Sequence, residues 1–172
     1  MAATYVLISS QVLGSAAASV TFSSIPGTYT DLVLKVSARN DSVSVGSAFL
    51  VQYNNDTSTS NYSWTFLRGN GNSTADSYRN TTNGSSYGAP TDGSSDTANT
   101  FSIGELYIPN YTSTSSRQMI SNGASEGNST IEYITLAANN YRGTSAITSI
   151  NIFPGYNFVA NSSFYLYGIK NS

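Results

Sequence analysis

Asp31-Leu32-Val33-Leu34-Lys35-Val36-Ser37-Ala38-Arg39 decides the fold class of this chain. Leu32, Leu34, Val36 and Ala38 fall on one face of an extended strand, with Val33, Lys35, Ser37 and Arg39 on the other. Period-two alternation of this kind belongs to a half-buried β-strand. The same pattern recurs outward from it. Phe49, Val51 and Tyr53 alternate with Leu50 and Gln52, and Tyr62, Trp64 and Phe66 alternate with Ser63, Thr65 and Leu67. Further strands are predicted at 5–9, 19–23, 100–108, 117–122, 131–138, 146–153 and 162–170. Within 100–108 the apolar phase switches at Gly104, from Phe101 and Ile103 to Leu106 and Ile108, which predicts a bulge or bend. No stretch carries a helical stripe.

About ten short strands separated by turn signals (Pro26-Gly27, Asn83-Gly84, Asn122-Gly123, Pro154-Gly155) imply an all-β sandwich or barrel. The expected architecture is one domain over residues 1–172. It is a jelly-roll-like antiparallel β-sandwich with four or five strands in each sheet, and an immunoglobulin-like sandwich is the alternative. Residues 69–99 are almost wholly Gly, Asn, Ser, Thr and Asp, and read as one long loop. Tyr62, Trp64, Phe66 and Tyr165 are assigned to the core.

Composition restricts the chemistry. The 172 residues include no histidine and no cysteine, and only seven basic and nine acidic side chains. Imidazole and thiol are the usual groups titrating near neutrality, so triads, common zinc sites and redox disulfides are excluded. A glycoside hydrolase needs two placed carboxylates, and Glu105, Glu126 and Glu132 are the only glutamates. Solvated strand or loop positions account for them, and no enzyme is expected. Asp92-Gly93-Ser94-Ser95-Asp96 offers oxygen atoms of the kind calcium takes, but lacks the ligand alternation of an EF-hand, and turn roles suffice. No cofactor or metal is expected.

A net charge of −2 and scattered basic residues offer no attraction for a nucleic-acid backbone. No apolar run is long enough to span a bilayer. The start, Met1-Ala2-Ala3-Thr4-Tyr5, lacks the basic and apolar regions of a signal peptide, so synthesis in a bacterial-type cytoplasm without export is expected. The Asn-x-Ser/Thr sequons then follow from composition rather than glycosylation.

The thirteen tyrosines are the notable resource. Tyrosine supplies contact area at low entropic cost together with a hydroxyl, a pattern of binding surfaces. Tyr5, Tyr78, Tyr87, Tyr111, Tyr141 and Tyr156, in or beside predicted loops and ends, are the candidate interface residues. Neutral strands also lack the lysines that protect sheet edges, which predicts self-association.

The two ends of the chain carry a resemblance. Ala3-Thr4-Tyr5-Val6-Leu7-Ile8-Ser9-Ser10 leads through Ala18–Pro26 to Tyr29-Thr30-Asp31-Leu32-Val33-Leu34, and the close is Ser163-Phe164-Tyr165-Leu166-Tyr167-Gly168-Ile169-Lys170. This resembles a family of small virion proteins of tailed bacteriophages, frequent among aquatic phages. The match covers the first forty residues and the last ten, with Ile108-Pro109-Asn110-Tyr111 between them. It implies a structural protein on the virion surface, most simply a capsid decoration or cement protein. Its partners would be the major capsid protein and its own copies, as a homotrimer. The expected contact surfaces are the N-terminal segment and the 69–99 stretch. A head or tail fibre that recognises host glycans is the alternative. On either reading Phe22, Ile25, Phe164 and Leu166 belong to the core.

Overall fold

A computed structural model describes residues 4–44, 47–72, 75–129 and 131–170. Twelve strands, and no helix among these residues, pack as two antiparallel sheets. They are β1 (Tyr5–Val12), β2 (Val20–Phe22), β3 (Asp31–Ala38), β4 (Ser47–Tyr53), β5 (Tyr62–Gly69), β6 (Ala75–Asn83), β7 (Ser86–Thr91), β8 (Ser102–Ile108), β9 (Arg117–Ser125), β10 (Tyr133–Tyr141), β11 (Ile150–Phe153) and β12 (Ser163–Ile169).

The large sheet runs β1-β12-β3-β8-β9-β10-β5-β6, and the small one β2-β11-β4-β7. Set aside the β5–β6 and β9–β10 hairpins, and eight strands remain in the orders 1-12-3-8 and 2-11-4-7. Along the chain these eight change sheet at every step except from β4 to β7, which pair with each other in the small sheet, as a long hairpin rolled on itself gives. This is the jelly roll. The two hairpins extend one sheet only, so the division is eight and four rather than the expected four or five each.

The inner phase of the decisive stretch behaves as its alternation predicts, whereas Val33 and Arg39, of the outward phase, are buried as well. Leu32, Leu34, Val36 and Ala38 are buried between the sheets with Phe22, Ile25, Phe49, Val51, Leu106, Ile152, Phe158, Phe164 and Leu166. The core reading of Tyr62, Trp64 and Phe66 likewise holds, as does that of Phe22, Ile25, Phe164 and Leu166. Tyr165 does not belong to it. It points to the outer face, paired in register with Lys35 and half-buried.

The 69–99 stretch is not a loop. It contains β6 and β7, the first pairing with β5 and the second with β4. Nor does Gly104 mark a bulge, since β8 pairs with β3 in unbroken register from Leu32–Ile108 to Ala38–Ser102. Gly104 and Gly123, neighbours on β8 and β9, face β7. A Cβ on Gly123 would lie 2.5 Å from both the Ala89 Cβ and the Ile103 carbonyl oxygen, and one on Gly104 2.8 Å from the Ala89 Cβ. The glycines allow the sheets to touch. Asn122-Gly123, expected as a turn, therefore lies within β9.

Asparagine abundance has a local cause as well. Six of the seven non-glycine residues with positive φ among the described residues are Asn (54, 55, 99, 110, 128 and 161). Asparagine tolerates that conformation better than most side chains.

Candidate interaction surface

The large sheet buries one face against the small sheet and leaves the other open. Cross-strand register arranges this outer face in rows. One row reads Leu7, Tyr167, Val33, Tyr107, Ile120, Ala138, Thr65 and Arg79 from β1 to β6. The next reads Ser10, Tyr165, Lys35, Glu105, Asn122, Leu136, Leu67 and Ser77. A third reads Val12, Ser163, Ser37, Ile103, Ala124, Ile134, Gly69 and Ala75.

The β1-β12-β3-β8 half is aromatic and polar. Lys35 and Glu105 form an ion pair at 2.8 Å, and the Tyr107 hydroxyl donates to Asp31 at 2.8 Å. The β8-β9-β10-β5 half is aliphatic. Ile103, Ile134, Leu136, Leu67 and Ile120 are 62, 67, 49, 57 and 44% exposed, and with Ala124 the first four line a shallow groove of about 430 Å³. Contiguous exposed aliphatic residues mark interaction sites, whereas scattered ones are ordinary.

This face combines large outward residues with small or polar inward ones. Ile134 and Leu136 point outward, while Thr135, Ala137 and Asn139 point inward. The inward polar groups serve β7. Asn139 Oδ1 accepts the Tyr87 N–H at 2.8 Å, Ser121 Oγ donates to the Tyr87 carbonyl at 2.9 Å, and Asn139 Nδ2 donates to Ser121 Oγ at 3.1 Å. Buried polar side chains thus satisfy a backbone that no further strand covers.

The six tyrosines chosen from sequence divide evenly. Tyr5, Tyr78 and Tyr156 are about half exposed. They are not brought together: Tyr5 and Tyr78 lie on β1 and β6, the opposite edges of the large sheet, and Tyr156 lies in the turn after β11. Tyr87, Tyr111 and Tyr141 are buried and are not interface residues. Tyr111 donates its hydroxyl to the Pro26 carbonyl. Tyr87 packs against Trp64 and Phe66 with tilted rings, ring centres 5.4 and 5.0 Å away. Tyr141 packs with Tyr53 and Tyr62 at 5.1 and 4.9 Å and donates to Asp56 at 3.1 Å. Position beside a predicted loop misleads here, because Tyr87 and Tyr141 lie in β7 and β10 with their rings turned inward, and the turn that carries Tyr111 packs on the core.

Burial sets the titration of these rings. It pushes the Tyr87 and Tyr141 phenols up to about 12, and those of Tyr53 and Tyr62 higher still. Burial also opposes ionisation of Asp56, but hydrogen bonds from Asn61, the Ser58 N–H and Tyr141 outweigh it and leave that carboxyl below its usual range.

In the segment at 92–96 both aspartates are buried, while Ser94 and Ser95 between them are exposed. Asp96 Oδ2 accepts the Gly93 N–H at 2.6 Å, a local turn bond. Arg39, buried despite its outward phase in the sequence, donates to the carbonyls of Thr97, Thr100 and Asp96 and to the Thr100 hydroxyl. It ties the 92–100 segment to β3. Burial raises the Asp92 carboxyl, with Asp96 and Glu132 adding repulsion. Among the described residues no three His, Cys, Asp or Glu side chains are grouped to hold a metal ion.

Searches against protein-family models and against curated proteins found no match to this chain. The residues that form the aliphatic half-face carry a signal the alternation reading passes over. Leu67 and Ile120 are large apolar side chains out of phase with Phe66 and Met119, so two faces of the same strand are apolar.

Proposed function

We propose that this chain is a non-enzymatic structural protein of a bacteriophage virion, a decoration or cement protein that binds and bridges major capsid proteins. The observation that carries the reading is the open face of the eight-stranded sheet. Its centre is aliphatic, and its lysine and glutamate are paired with each other. Strands about 4.8 Å apart and about seven residues long at about 3.3 Å each make a face of roughly 850 Å², close to the ~800 Å² per partner of a standard interface.

The job is mechanical. The outer face seats on the capsid surface through aliphatic contacts at its centre and Tyr, Ser, Asn and Thr groups at its margin, the usual anatomy of a protein interface. A groove lined by Leu67, Ile103, Ala124, Ile134 and Leu136 holds no aromatic ring for a sugar to stack on, which favours a protein partner over a glycan. A homotrimer at threefold positions would multiply these contacts between neighbouring capsomers. The N-terminal segment contributes β1 at one edge of this face, with Met1–Ala3 outside the described residues, and the 69–99 stretch contributes β6 at the other.

Quantitative protein stoichiometry of the purified virion tests the reading. A copy number comparable with that of the capsomers is expected. A handful of copies per particle, as a fibre has, or absence from the particle would overturn it.

A further inference from the structure

An open sheet edge offers unpaired N–H and C=O groups to any strand beside it, so proteins blunt their edges. The two sheets have four edges, and three are blunted. β2 is only three residues long. β7 is buried, contains Pro90, and has the Tyr87 N–H and carbonyl occupied by Asn139 and Ser121. β6 carries the exposed charges of Asp76 and Arg79. β1 differs: its eight residues, Tyr-Val-Leu-Ile-Ser-Ser-Gln-Val, include no charge, proline or glycine, and Tyr5, Leu7 and Val12 are 52, 50 and 60% exposed.

A bulge gives this strand an unusual symmetry. Tyr5 and Leu7 pair with Ile169 and Tyr167, Ile8 has no register partner, and Ser10 and Val12 pair with Tyr165 and Ser163. Positions 5, 7, 10 and 12 therefore all lie on the outer face, arranged evenly about the midpoint of the strand. An unbulged strand of eight would put its first and last side chains on opposite faces. Two β1 strands laid antiparallel in full overlap bring Tyr5 opposite Val12 of the second copy and Leu7 opposite its Ser10, outward against outward. Val6 meets Gln11 and Ile8 meets Ser9 on the other face. Aromatic–β-branched pairs such as Tyr–Val are favourable across antiparallel strands, and no charges meet.

We infer that β1 is a self-pairing strand, which joins the large sheets of two copies about a two-fold axis. The inference rests on the fold and on the sequence of β1, so it stands or falls independently of a place in the virion. Because the contact is two-fold, it joins copies in pairs and leaves any threefold contact to other surfaces.

The chain has no cysteine, which makes disulfide trapping clean. In Leu7→Cys/Ser10→Cys the two cysteines of one strand lie roughly 10 Å apart, too far to bond, while each faces its counterpart on the second copy at about 5 Å. Oxidation is expected to give a covalent dimer. Leu7→Cys/Ser9→Cys, whose second cysteine faces the other side, is expected to stay uncrosslinked. Sedimentation velocity of the unmodified protein is expected to show paired copies. Leu7→Lys/Val12→Lys, with native circular dichroism, is expected to weaken that association about tenfold or more, since both aromatic–β-branched pairs and the Leu7 contacts are lost. A single unpaired copy at high micromolar concentration would overturn the inference and mean that the bulge turns the edge away. So would association that the lysines leave unchanged, or equal crosslinking of both cysteine pairs.

Discussion

Gly123 and Ala89 set the distance between the two sheets. The Cβ of a Gly123→Ala variant meets a backbone oxygen and another Cβ at 2.5 Å, and neither can rotate away. Such overpacking costs about 3 kcal/mol, a fall in Tm of roughly 10 °C for a chain of this size, measurable by calorimetry. Arg39 acts on the same scale. Arg39→Met removes the donors for three loop carbonyls and a threonine hydroxyl, at a cost of about 3 kcal/mol. Amide exchange should then accelerate across 92–100 before it does in β3. The buried tyrosines add a pH signature. Their folded-state pKa values lie above the unfolded value of about 10, so their contribution is complete below that pH and is lost as pH rises through the folded values. Alkaline titration is expected to show phenolate absorbance from these four rings only together with loss of β-sheet circular dichroism. Ionisation with the native spectrum intact would contradict their burial.

Among the elements, the added β5–β6 and β9–β10 hairpins convert a jelly roll of equal sheets into one with a broad open face. β6 closes an aromatic cluster at the rim of that extension, where Tyr78 lies 5.6 Å from Trp64 and 6.0 Å from Phe66. Trp64 is the only tryptophan. Tyr78→Ala should red-shift its fluorescence and admit a soluble quencher, with about 1 kcal/mol lost in stability. Unchanged quenching would mean that β6 does not cover the cluster. The alternating strands were legible in sequence because each divides the core from the outside, and the apolar phases of β3, β4 and β5 face the core as predicted, although outward Val33 and Ser63 are buried too. β6 and β7 were not legible, for opposite reasons. β6 is exposed on most of its length and needs no apolar phase, while β7 packs so closely that Ser86, Gly88, Ala89 and Pro90 replace bulky residues and mimic a turn. The outer aliphatic patch stayed hidden because it is assembled across β8, β9, β10 and β5, and only register reveals it.

At the scale of the whole molecule, a chain without histidine or cysteine has surface contacts indifferent to redox state and to pH near neutrality, which suits the proposed virion role. Two surfaces carry the proposed contacts: the β1 edge for a second copy, and the outer sheet face for the capsid. Changes at Ile134 and Leu136, which are 67 and 49% exposed, should leave folding intact, because substitutions at such positions are usually within about 0.5 kcal/mol of neutral. The most direct measurement is co-sedimentation of purified protein with capsids stripped of it, comparing the natural chain with Ile134→Lys/Leu136→Lys. The natural chain is predicted to rebind to saturation and the folded double variant to lose most of its binding. Equal binding by the two, or no binding by either, would contradict a capsid contact made through this face.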